Sequence, residues 1–226
     1  MIIFFALYTW ECFSVFKRKT KEHQNTIFRR QILLLFLLHL NGYMVLFDQT
    51  ENPKIFIFYG AQAVFFIIVI SSYKLLYEKS AQLLVNNMCM LMAIGFMIIS
   101  RLSYEKSIKQ FTIAVGSMIL ALGIPFLIQK ISFIRKLTWL YAGAGLLALA
   151  VVAAIGAASY GAKISFSIAG VTIQPSEFVK IIFVFFVAGM LYQKRGFKQV
   201  AITTAVAAAH VIILVVSKDL GGALIF

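Results

Sequence analysis

Apolar runs long enough to cross a bilayer follow one another along almost the whole chain. A helix needs about 20 apolar residues to span the hydrocarbon layer. Runs of roughly that length fall at 1–16, 31–48, 54–77, 81–100, 110–129, 137–158, 176–192 and 199–216, and a ninth opens near Asp219 and continues to Phe226. The first is short, contains Glu11 and lacks a basic leader, so it reads as a truncated span or an interfacial helix. The expected fold is all-α, a polytopic transmembrane helix bundle of about eight spans plus the start of a ninth. Coiled-coil heptads, low-complexity tracts and a soluble domain are not evident.

Composition identifies lipid as the main solvent. Hydrophobic residues make up 62% of the 226 and charged ones 13%, and the mean hydropathy is +0.92. A soluble domain of this size needs far more polar surface. The formal net charge of +13 invites a nucleic-acid reading. The basic residues, however, sit in short clusters between apolar runs, which is the pattern of membrane orientation and contact with anionic headgroups. Membrane lipids are therefore the expected partner of these charges, and nucleic acid is not. Cys12 and Cys89 lie inside apolar segments and behave as small hydrophobes, suggesting neither a disulfide nor a metal site.

Lysine and arginine also orient the bundle. If the loop Lys17–Arg30 is cytoplasmic, alternation places 14 basic residues on that side and 6 on the other, with Lys180 inside a span. The bias predicts a multi-pass protein with its N-terminus outside. The Gly-rich segment before Gln174 and the turn Ser217–Asp219 then lie on the outer face. Small residues four apart let helices approach closely. On that ground Ala150, Ala154 and Ala158, with Gly143, Gly145 and Gly156, and likewise Ala201, Ala205 and Ala209, are expected to face the bundle interior. The Phe- and Ile-rich stretches 54–77 and 181–187 suit lipid contact or bulky packing.

A few polar residues break the apolar pattern. Gln174-Pro175-Ser176-Glu177 follows a polar loop and opens a span, and Lys180 lies one turn deeper. Proline suits the first helical position, and a carboxylate suits the positive helix N-terminus. Lys180 needs more explanation, because a charge retained within a span is costly. It sits three residues after Glu177, on the same helical face and about 4.5 Å deeper. The two either pair as a structural lock between helices or line a polar cavity that takes an anionic ligand. The cavity is the favoured reading. Asp219 reads as a helix cap or as a headgroup contact on the outer face. His210, Asn86 and Asn87 read as hydrogen-bonded packing residues within spans. No nucleotide loop, G-x-S-x-G elbow or H-E-x-x-H motif occurs.

These residues, taken together, resemble a known family. Gly161-Ala162-Lys163-Ile164-Ser165, Gln174-Pro175-Ser176-Glu177-Phe178-Val179-Lys180 and Ser217-Lys218-Asp219-Leu220-Gly221-Gly222-Ala223 are similar to three signatures of the SEDS family of RodA, FtsW and SpoVE proteins. Those signatures are a Gly-Ala-x-Arg-Trp loop, a Gln-Pro-Ser-Glu-x-x-Lys helix start and a Gln-Pro-Asp-Leu-Gly-Thr-Ala turn. Lys109-Gln110 also resembles the family's Lys/Arg-Gln before its second helix. Ile164 and Ser165 stand in place of Arg-Trp, and Ser217-Lys218 in place of Gln-Pro. The resemblance covers residues 82–226, and residues 1–81 read as an N-terminal membrane extension of about three spans.

The resemblance implies polymerisation of peptidoglycan glycan strands from lipid II at the outer face of the bacterial cytoplasmic membrane, in cell division or cell-shape maintenance. It implies that Glu177, Lys180, Lys163, Gln174, Ser176, Asp219 and Lys218 line the substrate cavity. The family's catalytic aspartate is expected beyond Phe226, so no residue here is assigned to catalysis, and the chain alone is expected not to polymerise lipid II. No cofactor is evident, although the resemblance allows a divalent cation. The implied partner is a class B penicillin-binding transpeptidase. A lipid II flippase, or a non-catalytic truncated membrane fragment, stands as the alternative.

Overall fold

The computed structural model describes residues 1–18, 20–78, 80–130, 137–155, 157–159, 162–168, 171–193 and 196–226. Among them run nine helices and three short strands. The helices are α1 (Ile2–Lys17), α2 (Lys21–Thr50), α3 (Lys54–Leu76), α4 (Gln82–Leu102), α5 (Tyr104–Lys130), α6 (Thr138–Ile155), α7 (Pro175–Gln193), α8 (Phe197–Val216) and α9 (Leu220–Ile225). The strands β1 (Ala157–Ser159), β2 (Ala162–Ile168) and β3 (Val171–Ile173) lie between α6 and α7. Six helices, α2 to α5 with α7 and α8, are long and apolar enough to cross a membrane, and α6 is a shorter apolar helix. The protein is an all-α polytopic bundle carrying one small sheet. Its packing divides into two compact units, Met1–Pro125 and Phe126–Phe226.

In the first unit α2 is the central helix, packed against α1, α3 and α4. The basic stretch read as a loop is largely helical: α2 starts at Lys21 rather than near residue 31. Lys, Glu, Gln and Arg are good helix formers, and no Gly or Pro interrupts residues 21–30. The helix stops where Glu51 turns left-handed at φ 50, its N–H returning to Phe47 O. Asn52 Oδ1 then accepts from Lys54 N at 3.0 Å and sets the start of α3.

Association of helices within lipid draws on packing and interhelical hydrogen bonds, because lipid tails are as apolar as leucine. The first unit uses both. Phe58, Phe65 and Phe96 each meet Phe111 edge-on, with centroids 5.5–5.6 Å apart. A Cβ on Gly42 would collide with the Met97 side chain, so glycine there lets α2 and α4 come close. Polar side chains cross the same core. His39 and Tyr43 of α2 meet Gln62 Oε1 of α3, each at 2.9 Å. Tyr43 continues to Ser100 and Ser100 to Ser107, at 2.9 and 2.6 Å. The Phe/Ile-rich α3 divides as expected of an amphipathic packing helix: Phe58, Phe65 and Phe66 are buried, whereas Ile57, Ile67 and Ile68 are exposed.

In the second unit α6 packs on α7 and α8, and α8 on α9. The segment read as a Gly-rich loop holds an antiparallel sheet of order β1-β2-β3, with Ser159 opposite Ala162 and Ile168 opposite Val171. Its alternation, Ile164-Ser165-Phe166-Ser167-Ile168, is a strand pattern of period two. The span expected over 137–158 accordingly ends at Ile155 and gives way to β1.

The alanine stripes do not form the buried faces. Ala150, Ala154, Ala201 and Ala205 are exposed, whereas α6 buries Ala142, Gly145, Leu149 and Val152, and α8 buries Thr203, His210 and Leu214. The cause lies at Gly145, where an added Cβ would come within 2.7 Å of His210 Nε2 and 3.3 Å of Val179 Cγ1. One glycine facing a large ring sets the contact, and the alanines turn outward. Ala158 belongs to β1, and Gly156 lies outside the described residues.

Candidate functional site

The site is built from two helix starts. Pro175 is the first residue of α7, and Glu177 N–H returns to Gln174 O at 3.1 Å, closing the first turn. Proline loses nothing here, since the first helical N–H has no intrahelical partner. Ser176 is buried on this turn, Gln174 is half-buried and Glu177 is exposed. Lys180 Nζ donates to Glu177 Oε1 at 2.7 Å, with the lysine side chain 20% exposed and the glutamate 58%. Their spacing of three puts both on one face, as expected from the sequence.

The second start is the turn between α8 and α9. Lys218 N–H returns to Val215 O at 3.0 Å and Asp219 N–H to Leu214 O at 2.9 Å. That pair of bonds is a Schellman ending, which needs a left-handed residue and usually takes glycine. Here Lys218 adopts it at φ 62, with its side chain exposed. Asp219 then caps α9, its Oδ1 accepting from Gly222 N–H at 2.8 Å. A Cβ on Gly222 would press into that carboxylate, with Cγ at 2.8 Å. The other oxygen, Oδ2, accepts from Ser176 Oγ at 3.4 Å. The bond is long and weak, yet it brings together two motifs 43 residues apart.

His210 of α8, a residue not singled out for function from the sequence, packs against α6 and α7. Its Nδ1 donates to Val206 O at 2.8 Å, which assigns the proton to that nitrogen. Nε2 faces Gly145, buried and without a hydrogen-bond partner. The ring packs between Phe183 of α7 at 5.2 Å and Phe226 at 5.9 Å. A lone histidine in a span was the available signal, and the packing reading fits all but the unpaired nitrogen.

Of the seven residues read as cavity-lining, Ser176 and Asp219 are in contact, Glu177 and Lys180 pair, and Gln174 and Lys218 flank them. The backbone of Lys163 pairs with Ala158 in the sheet, and its side chain lies outside the described residues. So do Gly161 and Gly170. Asp219 takes the cap role expected for it through one oxygen, and its other oxygen meets Ser176 of α7. Asn86 and Asn87 make interhelical bonds, Asn86 Nδ2 to Gln31 Oε1 and Tyr8 Oη to Asn87 Oδ1, both at 2.9 Å. Among the described residues no three His, Cys, Asp or Glu side chains converge as metal ligands.

A family model described as a cell cycle protein, that of FtsW, RodA and SpoVE, matches residues 81–226. No curated protein and no solved structure matches the chain. The family match opens between α3 and α4, inside the first packed unit, and contains both helix starts of the site. With its apolar helices and the Gln-Pro-Ser-Glu-x-x-Lys turn in place on α7, the chain belongs to the FtsW/RodA/SpoVE, or SEDS, family of multi-pass membrane proteins tied to the cell cycle and cell wall.

Proposed function

We propose that the protein takes part in polymerising peptidoglycan glycan strands from lipid II at the outer face of the bacterial cytoplasmic membrane, in division or cell-shape maintenance. In that reaction an acceptor 4-hydroxyl attacks the anomeric carbon of the donor. A carboxylate takes the hydroxyl proton, and undecaprenyl pyrophosphate leaves. On this reading α6–α9 supply binding rather than the general base. The observation that carries it is the convergence of the two family motifs, Ser176 of one on Asp219 of the other.

Lipid II presents a lipid tail to the bilayer and a charged sugar pyrophosphate to the surface. Lys180, Lys218 and Lys163 supply cations for the pyrophosphate, whose oxygens take charge-assisted hydrogen bonds. Glu177 holds Lys180 in place until the anion claims it. The excess of 14 basic residues over 6 supports an outside N-terminus, with these lysines on the outer side. The match that begins at residue 81 supports reading residues 1–81 as an N-terminal membrane extension. A class B penicillin-binding transpeptidase with a single membrane anchor is the proposed partner. A divalent cation does not fit the described residues, because no three carboxylate, His or Cys side chains converge among them to hold it.

The test is lipid II capture by the membrane-inserted protein. Lys180→Met is expected to lower capture about a hundredfold while leaving insertion intact. Unchanged capture overturns the assignment. Translocation of labelled lipid II across proteoliposomes would instead establish the flippase reading.

A further inference from the structure

A second polar site lies in the first unit, where α3 ends and α4 begins. A cleft of about 50 Å³ opens there, lined among others by Tyr73, Lys74, Tyr77, Glu78, Gln82 and Asn86. A buried water needs only about 10–15 Å³, so the cleft admits a small polar group of several heavy atoms. It sits at helix ends, the depth of lipid headgroups, and Tyr73 and Tyr77 stand there with ring centroids 6.0 Å apart.

Three groups in this cleft are unspent. Lys74 and Glu78 are exposed, and neither makes an ion pair among the described residues. Asn86 is fully buried. Its Nδ2 donates to Gln31 Oε1 at 2.9 Å and to Phe28 O at 3.4 Å. The Phe28 carbonyl can only accept, which fixes the amide orientation. Asn86 Oδ1 is therefore an acceptor, and it is buried without a donor. A buried acceptor left without a donor is destabilising, so the site calls for a ligand that brings N–H or O–H.

A cation, an anion and a buried acceptor in one cleft match a zwitterion. We propose that this cleft binds the phosphoethanolamine headgroup of a membrane phospholipid. Lys74 takes the phosphate, and the ammonium donates to Glu78 and Asn86 Oδ1. A phosphocholine headgroup has the same charges but no N–H to give. A phosphoglycerol headgroup has hydroxyl donors but no cation for Glu78.

The experiment is native mass spectrometry of the delipidated full chain with phosphatidylethanolamine, phosphatidylcholine and phosphatidylglycerol supplied in equal amounts. Phosphatidylethanolamine should be retained about tenfold over each of the others, a difference of about 1.4 kcal/mol. Lys74→Gln and Glu78→Gln, both on exposed side chains, should each remove that preference without lowering the melting temperature. Equal or better retention of phosphatidylglycerol would mean a merely basic surface and overturn the proposal. Equal retention of all three would mean a lipid annulus and do the same. A preference that survives both substitutions would place the lipid elsewhere.

Discussion

The two packed units use polar residues in opposite ways. In the first, His39, Gln62 and Tyr43 are buried among aromatic rings and bond across helices, and Ser100 links Tyr43 to the buried Ser107. In the second, the described buried apolar cluster is small, Leu149, Val179 and Leu214, and the polar groups gather at the starts of α7 and α9. The interhelical hydrogen bonds of the first unit hold helices in register, even with His39 Nδ1 and Gln62 Nε2 left unpaired. Groups at helix ends, such as the exposed Glu177 and Lys218 and the half-buried Lys180, remain available to a ligand. The contrast separates polarity used for architecture from polarity placed for binding.

The largest expected effect is the hundredfold loss of lipid II capture in Lys180→Met, which would sharpen the contrast if thermal stability stays unchanged. Next is Gly145→Ala, where the new methyl meets His210. Overpacking of this kind costs about 1–3 kcal/mol, readable as a lower unfolding midpoint in mixed micelles. Adding His210→Ala should recover most of that loss, and failure to recover would remove His210 as the contact that sets the α6–α8 approach. Asp219→Ala removes the α9 cap at about 1 kcal/mol, and hydrogen exchange at the Gly222 amide should accelerate. Capture of lipid II should fall severalfold with it. The smallest effect belongs to Tyr43→Phe, at about 0.6 kcal/mol, seen in unfolding with capture unaltered. A Tyr43→Phe variant that lost capture at unchanged stability would break the comparison, because it would give the first unit a share in binding lipid II.

The positions of the helices were legible in the sequence, because a span is recognised from the average of some twenty neighbouring side chains. The Glu177–Lys180 pair was legible for a similar reason, since spacing along one helix fixes it. The strands over 157–173 were missed although their alternation was present, because glycines on either side read as loop. The extension of α2 back to Lys21 was missed because charged residues read as loop when span detection looks only for apolar ones. The alanine stripes misled because spacing identifies a face without saying what the face meets.

By itself, the sequence determined that lipid is the solvent, where helices run, and which charges need a reason to be there. Those are local sums and local spacings, carried by the chain without reference to its fold. Only the tertiary structure decided that Ser176 reaches Asp219, that Gly145 rather than an alanine ridge meets α8, and that Asn86 keeps a buried acceptor. Each depends on backbone turns such as the left-handed Lys218 and on helices approaching to within a methyl group. Such distances arise from packing between segments far apart in the chain, and no window along it contains them.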